Sequence, residues 1–109
     1  YYLDAVVNGT PVRFMVDTGA TDIVLTQADA AAAGIDPRGL VYSARAMSAN
    51  GEVGIAPVVL DRVAIGPVET EGVRAMVNGG DMRQSLLGMR YLQQFSKMEI
   101  GDGALILTP

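Results

Sequence analysis

The stretch FMVDTGATDIVLT, Phe14 to Thr26, places an ionisable residue, Asp17, between two apolar runs of β-prone residues. A carboxylate followed by a hydroxyl residue and a glycine, Asp17-Thr18-Gly19, has two readings. It is an Asx-type turn, in which Asp17 accepts local backbone N–H groups and Gly19 supplies a positive φ, or it is an acid–base group held for chemistry. Composition narrows what that chemistry is. The chain has no cysteine and no histidine, so thiol nucleophiles, disulfides, Cys-ligated zinc, histidine metal sites and Ser-His-Asp mechanisms are excluded. Carboxylates, lysine, tyrosine and hydroxyls remain for proton transfer, and nothing in the pattern calls for a metal or cofactor.

The length of 109 residues predicts a single domain, 1–109, with a modest core. Half the residues are apolar and only 18% charged, which argues for a compact fold with partner-covered surface. The net charge is −4 and no basic cluster is denser than the scattered Arg83, Arg90 and Lys97, so nucleic acid is not an expected partner. No run approaches the ~20 apolar residues of a membrane-spanning helix. The chain opens at Tyr1 rather than Met, which suits a domain excised from a longer protein.

The elements that must position Asp17 read mostly as strands. Alternation over Leu3, Ala5 and Val7, the Asn8-Gly9 turn signal, and Val12, Phe14 and Val16 predict a hairpin that delivers Asp17. Residues 22–26 (DIVLT) read as a buried strand. Thr26 is an N-cap with Asp29 as its capping-box acid, opening a short helix through Ala28–Ala33 up to Gly34. Residues 35–39 read as loop, and β pattern returns from Leu40 to Leu60 around a polar tip at 48–54 containing Asn50-Gly51. Two more strands flank Gly66-Pro67 within 63–77, and 78–84 is loop. Met89, Leu92 and Phe95 have helical spacing, and Gly101-Asp102-Gly103 separates two closing strands. The expected class is all-β with one or two short helices.

Context decides between the two readings of Asp17. A strand into VDTGAT, a hairpin tip SANG, the segment SLLGMRYL about seventy residues after the aspartate and the closing KMEIGDGALIL occur in one order. Together these resemble the retropepsin-like aspartic proteases, in their bacterial single-domain branch, over nearly the whole chain. The resemblance implies a closed or partly open β-barrel of the acid-protease type, one lobe per chain, and an endopeptidase whose nucleophile is water. One carboxylate takes the water's proton while a second polarises the scissile carbonyl. Two aspartates that close cannot both ionise easily, so they share a proton, and activity peaks at acidic pH. This sequence has one Asp-Thr-Gly, so the second Asp17 comes from a second copy, in a homodimer that binds a peptide or protein substrate. The apolar ends, YYL and ALILT, are candidates for strand pairing between subunits, with ordinary internal pairing the even alternative.

By the same resemblance Thr18 hydrogen-bonds across the dyad and Gly19 brings backbone close to substrate, while Ala20 and Thr21 border the cleft. Retroviral members often carry an acid where Thr21 stands. Leu86-Leu87-Gly88 threads behind the catalytic turn, with Gly88 permitting close approach, although plain core packing would use the same residues. Ala49-Asn50-Gly51 resembles the tip of a flap that closes over an extended peptide, or is a simple surface turn. Met47 and Met76 read as core or cleft wall, and Asp22 and Glu52 as solvated charges. Bacterial relatives suggest a periplasmic domain tethered to the inner membrane by an anchor outside this fragment.

Two rivals stand beside this reading. VDTGAT also resembles the phosphate-binding turn of the actin and sugar-kinase fold, which needs two larger lobes. A catalytically inactive protease-like module that binds peptide or dimerises would have the same sequence signature.

Overall fold

In the computed structural model, residues 1–48, 51–94, 97–101 and 104–108 are described. The chain opens with the expected hairpin. β1 (Tyr2–Val7) runs antiparallel to β2 (Thr10–Val16), with Ala5 opposite Val12 and Leu3 opposite Phe14. Asn8 and Gly9 join them with φ of 50° and 84°, the backbone of a type I′ turn, whose twist matches that of the flanking strands. β3 (Ile23–Leu25) leads into α1 (Gln27–Ala32), and a single 3-10 turn, Pro37–Gly39, lies in the stretch expected to be loop.

The next hairpin differs from expectation at both ends. β4 spans Ala44–Ser48 rather than starting at Leu40, and β5 is one continuous strand, Gly51–Ile65, where the sequence pattern suggested a break after Leu60. The pattern breaks because the inward face shifts register. Ala56 and Leu60 are buried, then Val63 and Ile65, and on the paired strand β6 (Val68–Asn78) Gly72 adopts φ 62° where the shift occurs. A change of face, not of strand, produced the lost alternation.

β7 (Ser85–Leu87) is short and central. It runs parallel to β2, with Val16 opposite Leu87, and antiparallel to β3 at Val24–Leu86. β3 runs parallel to β6. The order β1-β2-β7-β3-β6-β5, closed by β5 pairing back to β1 at Val6–Ala64 and Val7–Val63, is a six-stranded mixed barrel with β4 as an appended arm. Closure leaves those six strands largely without open edges. α2 is one turn, Met89–Leu92, and Phe95, the last residue of its expected spacing, lies outside the described residues. β8 (Lys97–Gly101) and β9 (Ala104–Thr108) pair with each other.

The core fills the barrel. Val7, Phe14, Leu25, Leu60, Val63, Val77 and Leu87 are fully buried, each contributing about 1.5–3 kcal/mol of transfer free energy. Every strand beside Asp17 is therefore anchored from the inside. Tyr2 and Leu3 pair internally with Met15 and Phe14, so the amino-terminal segment follows the internal alternative on that edge.

Candidate active site

Asp17 is the first residue after β2, where the chain leaves the sheet just as the parallel β7 ends beside it at Leu87. Four backbone hydrogen bonds fix the loop that follows. Asp17 N–H donates to the Leu87 carbonyl (3.1 Å) and Ala20 N–H to the Asp17 carbonyl (3.1 Å), while Met89 N–H donates to Ala20 (2.9 Å) and Arg90 N–H to Thr21 (2.8 Å). Three of the four cross to β7 and α2, and at about 1 kcal/mol net each they outweigh what a surface turn normally contributes.

The carboxylate is half-buried, and Gly19 N–H donates to its Oδ1 at 2.9 Å. The Asx turn is thus real, but its expected second half is not, because Gly19 is not among the residues with positive φ. The turn aims the acid and leaves Oδ2 without a hydrogen-bond partner among the described residues. Gly19 matters for space: a Cβ there would stand 3.2 Å from Asp17 Oδ1. Thr18, Gly19 and Thr21 are exposed and Ala20 is half-buried, so the turn presents small groups around the carboxylate.

Gly88 is buried directly behind this loop. A Cβ on it would lie 2.6 Å from the Thr21 carbonyl carbon and 2.7 Å from the Asp22 nitrogen, and closer still to the Asp22 carbonyl oxygen. All three are backbone atoms, so no side chain can move aside; the loop rests on bare glycine. Of the two leucines before it, Leu87 is core and accepts from Asp17, whereas Leu86 faces outward.

Leu86 and Val24 form one wall of an open groove of about 460 Å³ whose other side is made by Met47 and Val53 of the β4–β5 hairpin. Met47 is 78% exposed, which makes it groove wall rather than core. Met76 is half-buried on the outer face and lines a neighbouring cavity. Gly51 opens β5 opposite Ser48, while Ala49 and Asn50 lie outside the described residues. Glu52 is exposed and 3.7 Å from Arg45, a solvated charge as expected.

Asp22 departs from its expected role as a solvated charge. Its side chain is only 12% exposed, and Arg90 Nη1 stands 3.1 Å from its Oδ1. That oxygen meets no donor in hydrogen-bond geometry, so the attraction is chiefly ionic. The reason is positional: Asp22 leads into β3 beside α2, and the Arg90–Thr21 backbone bond brings the guanidinium alongside.

A second polar contact also lay beyond the sequence pattern. Thr26 caps α1, its Oγ1 accepting from Asp29 N–H at 3.0 Å, but the reciprocal arm of the box does not reach back directly. Thr26 N–H donates to the buried Ser85 Oγ (3.1 Å), whose hydroxyl donates to Asp29 Oδ2 (2.5 Å). Ser85 thereby ties the helix cap to β7. Nothing local to Ser85 signals this, since Thr26 is 59 residues away. Among the described residues no three acidic side chains gather as a metal-binding set.

A six-stranded mixed barrel with an Asp-Thr-Gly turn backed by a Leu-Leu-Gly strand is the fold of retropepsins. Residues 3–94 match the family described as "gag-polyprotein putative aspartyl protease". The fold superposes with TM-score 0.86 on a retropepsin-like aspartic protease from Rickettsia conorii, at 41% identity over 98% of this chain and 88% of that one. It reaches 0.69 with an inhibitor-bound EIAV protease, at 23% identity over 86% of each chain, which bears on fold alone. Uncharacterised proteins of Rickettsia prowazekii and a Sinorhizobium species are 42% and 39% identical over 99% and 94% of this chain. The chain spans less than half the length of these two bacterial relatives, 46% and 45%. The chain belongs to the retropepsin-like aspartyl protease family.

Proposed function

We propose that the chain is one lobe of an aspartic endopeptidase, active as a homodimer in which the Asp17 carboxylates of two copies meet at the two-fold axis. The observation that carries this is the Asp17 turn itself, pinned by Leu87, Met89 and Arg90 while its carboxylate keeps an oxygen uncommitted. Such a rigid support suits an acid that must sit within hydrogen-bond reach of its reaction partner.

One Asp17 carboxylate accepts a proton from a water held between the pair. The water oxygen attacks the scissile carbonyl carbon while the protonated second Asp17 donates to the carbonyl oxygen, giving a tetrahedral diol. The C–N bond then breaks as the leaving nitrogen takes a proton from the first carboxyl group, while one diol hydroxyl returns its proton to the second Asp17 carboxylate and the C=O bond re-forms. Thr18 braces the pair across the axis, Gly19 offers backbone to the peptide, and Ala20 and Thr21 leave room for it. The hairpin tip at Ala49-Asn50-Gly51 closes over an extended substrate, and Leu86, Leu87 and Gly88 hold the turn from behind.

Full-length protein incubated with a mixed peptide library between about pH 3 and 7 should generate new N-termini. Asp17→Asn should lower the rate by a factor on the order of 10² to 10⁴. Cleavage undiminished by that substitution would rule out this mechanism, and peptide binding without cleavage by either protein would identify a non-catalytic binding module.

A further inference from the structure

Beyond the Asp17 turn, the outer face of the barrel carries a charge with no assigned task. Ile23 and Leu25 of β3 and Ala75 and Val77 of β6 point into the core, so Asp22, Val24, Arg74 and Met76 face outward. The parallel register that sets Ile23 beside Ala75 and Val24 beside Met76 places Arg74 next to Asp22. Asp22 is already matched by Arg90 at 3.1 Å. Arg74 is exposed and has no ion pair or hydrogen bond among the described residues.

Two cavities meet at this point, and Asp22 and Arg74 line both. One, of about 220 Å³, also includes Arg90, Thr70 and Gln94. The other, of about 380 Å³, runs past Ala44 and Met76 toward the hairpin. Two guanidinium groups face one carboxylate, and among the described residues no other carboxylate lines either cavity. The surplus charge is therefore positive, on a protein whose net charge is −4, which makes this a local exception to the overall field.

The location relates the charge to the cleft. Val24 lines the groove under the hairpin, and Asp22 is two residues earlier on the same face. In extended chains a two-residue step is about 6.6 Å, the spacing between successive side chains on one face of a bound peptide. Resting on the protease reading above, we infer that Arg74, with Arg90 beside it, is a specificity determinant that selects substrates carrying an acidic side chain, Asp or Glu, outside the residues that flank the scissile bond. The exposed arginine forms a charge-assisted pair with the incoming carboxylate, and Gln94, whose Oε1 accepts from Thr70 Oγ1 at 3.2 Å, offers its amide N–H groups as neutral donors. Two-fold symmetry gives the dimer one such site on each side of the scissile bond.

The test takes a peptide cleaved by the full-length protein and replaces each position in turn by Glu or by Gln. At one or more positions outside the scissile pair Glu should be favoured in kcat/KM by about two- to fivefold, an advantage that shrinks as salt is raised. Arg74→Gln should bring the Glu-to-Gln ratio of kcat/KM to about one, and Arg74→Glu should turn the preference toward Lys. Equal use of Glu and Gln at every position, or a Glu preference that survives Arg74→Gln, overturns the inference. Should the protein cleave nothing, the protease reading fails on its own. The same peptide pairs are then bound to Asp17→Asn protein and followed by fluorescence anisotropy, where tighter Glu binding lost in the Arg74→Gln double variant upholds the site and equal binding refutes it.

Discussion

The Asp17 turn and the β4–β5 hairpin are held in opposite ways. The turn is tied to β7 and α2 by backbone bonds from Asp17, Met89 and Arg90 and rests on Gly88 with no room for a methyl group. Among the described residues the hairpin arm β4 pairs only with β5, and its Met47 is largely solvent-exposed. One region is over-determined by contacts from distant parts of the chain, the other is held mainly by its own two strands, with a bond from Gly79 N–H to the Gly54 carbonyl at its base. Local opening costs least where few tertiary contacts oppose it, so the difference separates a part held firmly in place from a part that costs less to displace.

Substitutions on the two sides should separate in the same way. Gly88→Ala forces backbone atoms of Thr21 and Asp22 apart and should cost about 2–4 kcal/mol. Thermal unfolding should show Tm lowered by roughly 10–20 °C, with cleavage lost even where the fold persists. Met47→Ala should leave stability within about 0.5 kcal/mol. Its effect should be a KM raised by about two- to tenfold with kcat little changed, the mark of lost ground-state binding. A Gly88→Ala protein with normal Tm and activity would erase the contrast.

The smallest expected effect lies at α2. Burial raises the Tyr91 phenol above its ordinary 10.0, and a hydrogen bond with Thr70 partly opposes this. The unfolded chain then gives up this proton at lower pH than the folded one. Stability from Tyr91 is complete below about pH 10 and declines as pH rises through the folded value. Tyr91→Phe should flatten the alkaline side of a Tm–pH profile and leave it unchanged near neutrality.

What was legible in the sequence follows from the range of the interactions. Asn8-Gly9 sets its hairpin through its own φ values, and Thr26 caps α1 within three residues, so both were readable from spacing. Asp17-Thr18-Gly19 stood out because it occurs in one order with SANG and SLLGMRYL, which resembles the retropepsin-like proteases, while composition removed only thiol and histidine chemistry. The pairing of Asp22 with Arg90, the Ser85 link between Thr26 and Asp29, and the placing of Arg74 beside Asp22 all depend on which distant strands become neighbours. No local pattern encodes a parallel register between β3 and β6. β5 was misread for a related reason, since its change of face is set opposite Gly72 on another strand.

The claim on which the mechanism rests is that one active site needs two Asp17 side chains from two chains. Wild-type and Asp17→Asn full-length proteins should be mixed at fixed total concentration, unfolded and refolded together so that subunits exchange, and assayed for peptide cleavage. A shared site predicts activity falling as the square of the wild-type fraction, to about a quarter at equal parts, because mixed dimers are inactive. Activity proportional to the wild-type fraction, about half at equal parts, would show that each chain works alone and would contradict the account.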